Sequence, residues 1–290
     1  MNDKRVRQTS RRLRDLCEPI AGSVYFVPEA QDEYKALGLS NYAESYFPSR
    51  GACLGNPSGE LIVSSFGVFN PDIVLPAVAA GWSKTDPPTL LEARYKGAAN
   101  ALRRILGEAD PTPAVDILRP VMESVNFAGR TLFAGLRSLP FPDEPIGALW
   151  RVCDYVRERR GDGHIAAWVS AGCDAVEISL LTELFWGLQL GTYVFTRGWT
   201  SDQIEAGVER LTEKGYLQDR QFTPEGRAYR RDIEAATDAM EADIVDGLGE
   251  RSEELFELLA PMQKAVLEAK GYPVDPGSTM SADAFDEAAT

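Results

Sequence analysis

The chain has one histidine, His164, and four cysteines, Cys17, Cys53, Cys153 and Cys173, none of them spaced as C-x-x-C. A structural zinc site needs four soft ligands in close pairs, so no metal is expected, nor a haem pair or two-histidine catalysis. Scattered thiols in a chain of this length predict reduced, mostly buried side chains and a cytoplasmic location. No apolar run approaches the ~18 residues that a bilayer span requires. The segment Met1–Arg14 lacks the apolar stretch of a secretory leader. No membrane association is therefore expected. Phosphate loops and Rossmann glycine runs are also missing, which predicts no cofactor.

What is present is ordinary globular composition over 290 residues, 44% hydrophobic and 26% charged. The formal net charge of −14 is unevenly spread. Residues 232–290 hold 15 acidic and 3 basic side chains, which leaves the rest of the chain close to neutral. Six basic residues (Lys4, Arg5, Arg7, Arg11, Arg12 and Arg14) crowd the N-terminus. A basic head, a neutral body and an acidic tail discourage nucleic acid overall without forbidding a local basic patch.

Apolar spacing predicts a mainly α protein in two helical halves. Residues 11–38 carry helical periodicity interrupted at Pro19 and Pro28, and Asn70-Pro71 reads as the N-cap and first residue of a helix. Residues 89–106 form an amphipathic helix through Leu90, Leu91, Tyr95, Ala98, Leu102 and Ile105, and 115–136 form another, bent at Pro120. Helices follow at 146–158, 164–170 and 174–185, then from Thr200 to Lys214, from Pro224 to about Val245, and from Ser252 to Ala269. The implied organisation is a helical domain over 1–108, a linker and connecting helix over 109–145, a winged-helix domain over 146–271, and a disordered acidic tail over 272–290.

Residues 174–237 resemble the MarR-type winged helix. The run Leu211-Thr212-Glu213-Lys214-Gly215-Tyr216-Leu217 ends a capped helix, and Phe222-Thr223-Pro224-Glu225-Gly226-Arg227 follows a very small β-wing. The whole chain is similar to a bacterial helix-turn-helix family without a secure activity. Tyr46-Phe47-Pro48-Ser49-Arg50, Phe69-Asn70-Pro71, Pro142-Asp143-Glu144-Pro145, Arg160-Gly161-Asp162-Gly163-His164 and Thr196-Arg197-Gly198-Trp199-Thr200 carry that likeness. Against base reading, Ser201–Lys214 has four acids and two bases, whereas base edges and phosphates call for Arg, Lys, Asn or Gln. If DNA is bound, Arg220, Arg227, Arg230 and Arg231 are the residues to meet it. The Q-x-Q catalytic motif of the winged-helix alkylpurine glycosylases is absent.

The leading expectation is a binding protein for a small apolar or anionic ligand in a cleft between the halves, as monomer or homodimer. A ligand-responsive transcriptional regulator is one alternative. The other is a metal-free enzyme in the inter-domain cleft in which His164 acts as a general acid/base with Asp162 or Asp143 as its acidic partner. For ligand contacts, Arg160 would hold an anion, Ser49 and Arg50 would offer a hydroxyl and a guanidinium fork, and Asp143 and Glu144 an acidic pair between prolines. Asn70, Arg197 and Trp199 complete the candidates. Against these stand plainer roles: Gly161 as a helix C-cap, Asp162 as an N-cap, Asp143 as the cap of the helix at Pro145, and Cys53 as a small buried side chain.

Overall fold

Capping residues and glycines divide the chain into fourteen α-helices and one two-stranded sheet among the described residues, which in this computed structural model are 3–274. In order these are α1 (Asp3–Gly22), α2 (Pro28–Ala36), α3 (Tyr42–Gly51), α4 (Gly59–Phe66), α5 (Pro71–Trp82), α6 (Pro87–Leu106) and α7 (Thr112–Ser124). Then come α8 (Thr131–Arg137), α9 (Pro145–Ser170), α10 (Ala175–Phe185) and α11 (Ser201–Glu213). Strands β1 (Leu217–Gln218) and β2 (Gln221–Phe222) precede α12 (Pro224–Ala239), α13 (Ala242–Leu248) and α14 (Ser252–Glu268). The fold is mainly α, and the one sheet among the described residues is a minimal antiparallel wing pairing Leu217 with Phe222. Asp219 and Arg220 turn the wing at positive φ, 50° and 62°.

Most starts are set by side chains that satisfy the free N–H groups of a first turn. Asn70 accepts from Asp72 and is followed by Pro71, as the sequence predicts. Asp174 with Glu177, and Thr200 with Gln203, each close a reciprocal capping box. Thr223 caps α12 ahead of Pro224. The helix at Pro145 is capped by Glu144, not by Asp143.

Four expectations about helix extents change. Pro19 does not interrupt α1; the helix continues through it because Leu13, Cys17 and Ile20 are buried on both sides, against α9 and α14. The helix over 115–136 is two, since the chain leaves helical geometry at Val125 and Gly129 takes φ +70°. Most consequentially, 145–170 is one helix of 26 residues with no break at 159–163. Gly163 stays helical and has no room for a Cβ, because the Arg130 guanidinium crosses the helix there. Similarly, the helix from Pro224 stops at Ala239, where the freed Met240 carbonyl accepts from Arg130 Nη2 and Arg159 Nη1, both at 3.2 Å.

Buried apolar side chains fall into two large clusters, with Phe185 set apart from both. The larger draws on α1 to α8, the first half of α9, and α13 and α14. The smaller holds Trp168, Val176, Leu180, Leu181, Ile204, Val208, Leu211, Leu217 and Ile233, the interior of the winged helix. Helix α9 feeds both, so it carries the seam between them. Residues 275–290, most of the expected acidic tail, lie outside the described residues, but Tyr272 is held: its hydroxyl donates to Glu18 at 2.8 Å.

Candidate functional site

At that seam lies a cavity of about 210 Å³. Helix α9 supplies Arg157, Arg160, Gly161 and His164 at successive turns of one face, and α12 supplies Arg230, Glu234 and Thr237 at the same spacing. Arg14 comes from α1 and Arg50 from α3. Val68, Ile178 and Phe185 make the wall apolar on the side of the winged helix.

Five arginines thus face one space with two acids, Glu18 and Glu234. Arg50 grips the buried Glu158 with two hydrogen bonds, 2.9 and 2.7 Å, and Arg157 reaches Glu18 at 3.0 Å. Arg160 donates to Glu234 at 2.7 Å and to Asp238 at 2.8 Å, while Arg230 donates to Glu234 at 2.9 Å. Burial alone would raise both glutamates. The adjacent guanidinium groups outweigh it, holding Glu158 down to about 2 and Glu234 well below the ordinary carboxylate range. Even so, Arg160 Nη1 and Arg230 Nε are buried without a hydrogen-bond partner, in side chains 7% and 2% exposed.

His164 Nδ1 lies 3.0 Å from Thr237 Oγ1, whose own hydroxyl donates to the Ile233 carbonyl at 2.9 Å. The hydroxyl therefore accepts, which fixes the proton on Nδ1 and leaves Nε2 as an acceptor. Burial, then the Arg230 cation, push the His164 pKa down to about 3, so the imidazole is neutral at pH 7. Asp162 does not orient it. Its two oxygens accept from the backbone N–H groups of Leu132 and Phe133, at 3.3 and 3.0 Å. Asp162 caps a helix, but that helix is α8, because Arg130 gives α8 no side-chain cap of its own. Burial raises Asp162 to about 7. Gly161 is not a C-cap; it sits inside α9, with nothing within 4 Å of where a Cβ would be.

Of the other candidate ligand contacts, Arg50 and Arg160 line the cavity and the rest do not. Ser49 is buried and donates to the Tyr46 carbonyl at 3.3 Å. Asn70 also donates to the Gly198 carbonyl and to Gln203, at 3.0 and 3.2 Å, tying α5 to the start of α11. Arg197 lies over the rings of Phe69 and Tyr193, and Trp199 Nε1 donates to the Val68 carbonyl at 2.9 Å. Glu144 is engaged by Arg103 at 3.0 Å, and Asp143 borders a separate cavity near α6. Cys53 is buried with its thiol pushed up to about 12, the bland role expected. Arg14, Glu18, Arg157, Glu234 and Thr237 were not anticipated; the signal for the last three was the i, i+3/4, i+7 spacing of polar residues on α9 and α12, and for Arg14 and Glu18 the i, i+4 spacing on α1.

The surface a DNA reader would use is different in kind. The exposed positions of α11 include Asp202, Glu205, Glu209 and Glu213. Its Arg210 is tied to Asp174 at 2.7 Å, Lys214 to Glu177 at 2.7 and 2.8 Å, and the wing's Arg220 to Glu205 at 2.7 Å. Arg230 is an interior residue and is unavailable to phosphate. Arg227, over the Phe222 ring, and Arg231 remain half-buried on α12. Among the described residues no single helix is long and apolar enough to cross a membrane.

The profile of a helix-turn-helix family matches residues 10–273, and the chain belongs to that family. No curated protein and no solved structure matches it. The family points to nucleic acid as a partner class.

Proposed function

We propose that the protein is a receptor for a small anionic molecule with an apolar body, built on a MarR-like winged helix whose DNA reading is weak. The carrying observation is the pair of unpartnered buried donors, Arg160 Nη1 and Arg230 Nε, beside an apolar wall in the α9/α12 cavity. A buried N–H without an acceptor is costly, and a guanidinium cannot relieve the cost by losing its proton. An anion in the cavity satisfies both donors, and the wall buries the rest of the ligand. His164 Nε2 would accept from a ligand hydroxyl or amide. The MarR-like assignment rests on the order helix, capped helix, two-stranded wing and Thr-Pro-opened helix, and on the motifs at 211–217 and 222–227.

One observation favours coupling to DNA as a second reading. Helix α12 follows the wing directly and presents Arg230 and Glu234 to the cavity, so occupancy bears on the element that positions the wing. Proton-transfer catalysis has no such support, because His164 is neutral and Asp162 is committed to α8.

Native mass spectrometry of freshly isolated full-length protein tests the receptor reading. The expected result is a co-purified small molecule that is lost in Gly161→Trp, which fills open space over α9. Retention of the adduct in that variant would place the ligand elsewhere. Mobility-shift titration tests the second half: at about 150 mM salt, generic duplex should bind no tighter than ~10 μM. Nanomolar, sequence-selective binding would overturn weak reading.

A further inference from the structure

Six arginines are buried in this protein, and five of them have a carboxylate at hand: Arg94 with Asp154, Arg130 and Arg159 with Glu241, Arg160 and Arg230 with Glu234. The sixth, Arg151 on α9, is 6% exposed and forms no ion pair among the described residues. Its Nε and Nη1 have no hydrogen-bond partner. The nearest acid on its own helix, Asp154, is engaged by Arg94 at 3.3 Å. Arg151 lies against the Trp150 ring, 5.5 Å from its centroid, which supplies attraction but no counter-charge.

The same guanidinium lines a cavity of about 340 Å³ between α6 and the loop that joins α8 to α9. Leu91 and Tyr95 form one wall, and Leu139, Phe141 and Pro142 the other. This cavity shares α9 with the Arg160 cavity but shares no lining residue with it. Two carboxylates, Glu92 and Asp143, also border it.

We propose that this second cavity binds a monocarboxylate with an apolar body, its carboxylate on Arg151. A guanidinium keeps its charge at every physiological pH, so a buried one with two unpartnered donors and no carboxylate in contact has room for an anion from outside. The walls are apolar and aromatic, which rewards a hydrocarbon chain or ring and does nothing for a bare ion. The two bordering acids repel an anion in proportion to its charge, so a monoanion on Arg151 is tolerated where a phosphate dianion is not. The site is independent of the receptor reading above, since it rests on different residues.

Isothermal titration of the full chain with phenylacetate, 3-phenylpropionate and octanoate tests it, with phenylacetamide and inorganic phosphate as controls. At least one carboxylate should bind, while the amide and phosphate should not. Arg151→Met should weaken the carboxylate by roughly tenfold to a hundredfold, the affinity carried by a charge-assisted hydrogen bond. If Arg151→Met fails to fold, Leu91→Trp keeps the arginine, fills the cavity from α6 and should abolish binding. Equal binding of acid and amide overturns the proposal, as does binding of phosphate. So does no binding by any of the three acids, or full binding retained in Leu91→Trp.

Discussion

The outer face of α11 and the cavity behind the winged helix carry opposite charges, arranged in reverse of what duplex reading requires. Outside, Asp202, Glu205, Glu209 and Glu213 face solvent, and Arg210, Lys214 and Arg220 are each held by a carboxylate. Inside, five arginines converge on one small space. A helix-turn-helix that reads DNA needs its cations at the surface, where their counterions and those of the duplex are released together. Here the cations are spent on Glu158, Glu234 and Asp238 instead. Family membership therefore identifies the scaffold, while charge placement is what supports the proposed cavity over the face of α11 as the binding site.

Four measurements sharpen or break this contrast. The largest effect is expected for Glu234→Leu, which strips the carboxylate shared by Arg160 and Arg230 and leaves two buried cations short of a partner. Chemical denaturation should show a loss of about 3–5 kcal/mol. Adding Arg160→Met and Arg230→Met should restore much of it, because a buried ion network replaced whole by apolar groups costs little. A loss under about 1 kcal/mol would mean that the interior charges are not desolvated as described.

Next comes the titration of Asp162. Its pKa rises from an ordinary carboxylate value to about 7 in the fold, so the native state takes up the proton more readily than the unfolded chain. Its stability contribution is full below about pH 4 and is lost as pH climbs through 7. Asp162→Asn should flatten that decline by on the order of 2 kcal/mol between pH 5 and 8, followed by urea melts at each pH. The same slope in both proteins would place the proton on another group.

A smaller gain is expected on the outer face. Glu205→Lys with Glu209→Lys should tighten generic duplex by about tenfold at low salt and steepen the salt dependence by roughly one unit per new phosphate contact. Unchanged affinity would show that α11 is not the face that meets DNA. Smallest is Gly161→Ala: with open space above it, alanine should stabilise α9 by about 0.5–1 kcal/mol in thermal melts. Destabilisation would show that the cavity floor is tighter than it looks.

Much of the fold was legible because helix starts are local. Asn70-Pro71, Asp174 with Glu177, and Thr223-Pro224 each announce a first turn within four residues. Glycines misled where their reason is distant. Nothing near Gly163 in the chain says that Arg130, far earlier, occupies its Cβ position, so the run at 159–163 read as a turn. The site was half legible for the same reason. Arg160 and His164 stood out beside that run, but Glu234 and Thr237 become partners only when α12 packs on α9. Asp162 was read correctly as a cap, but for the wrong helix, since its recipient α8 lies some thirty residues before it.

Arg130 ends with more than a packing role. Its guanidinium passes across α9 at Gly163, donates to the Arg159 carbonyl at 2.9 Å, and reaches the Met240 carbonyl at the end of α12. Like a pin through a hinge, it fastens the far end of α12 to the long helix while the near end carries the wing. A displacement of the wing then has its fulcrum at residue 240, and the cavity residues Arg230, Glu234 and Thr237 lie along the lever arm between the two.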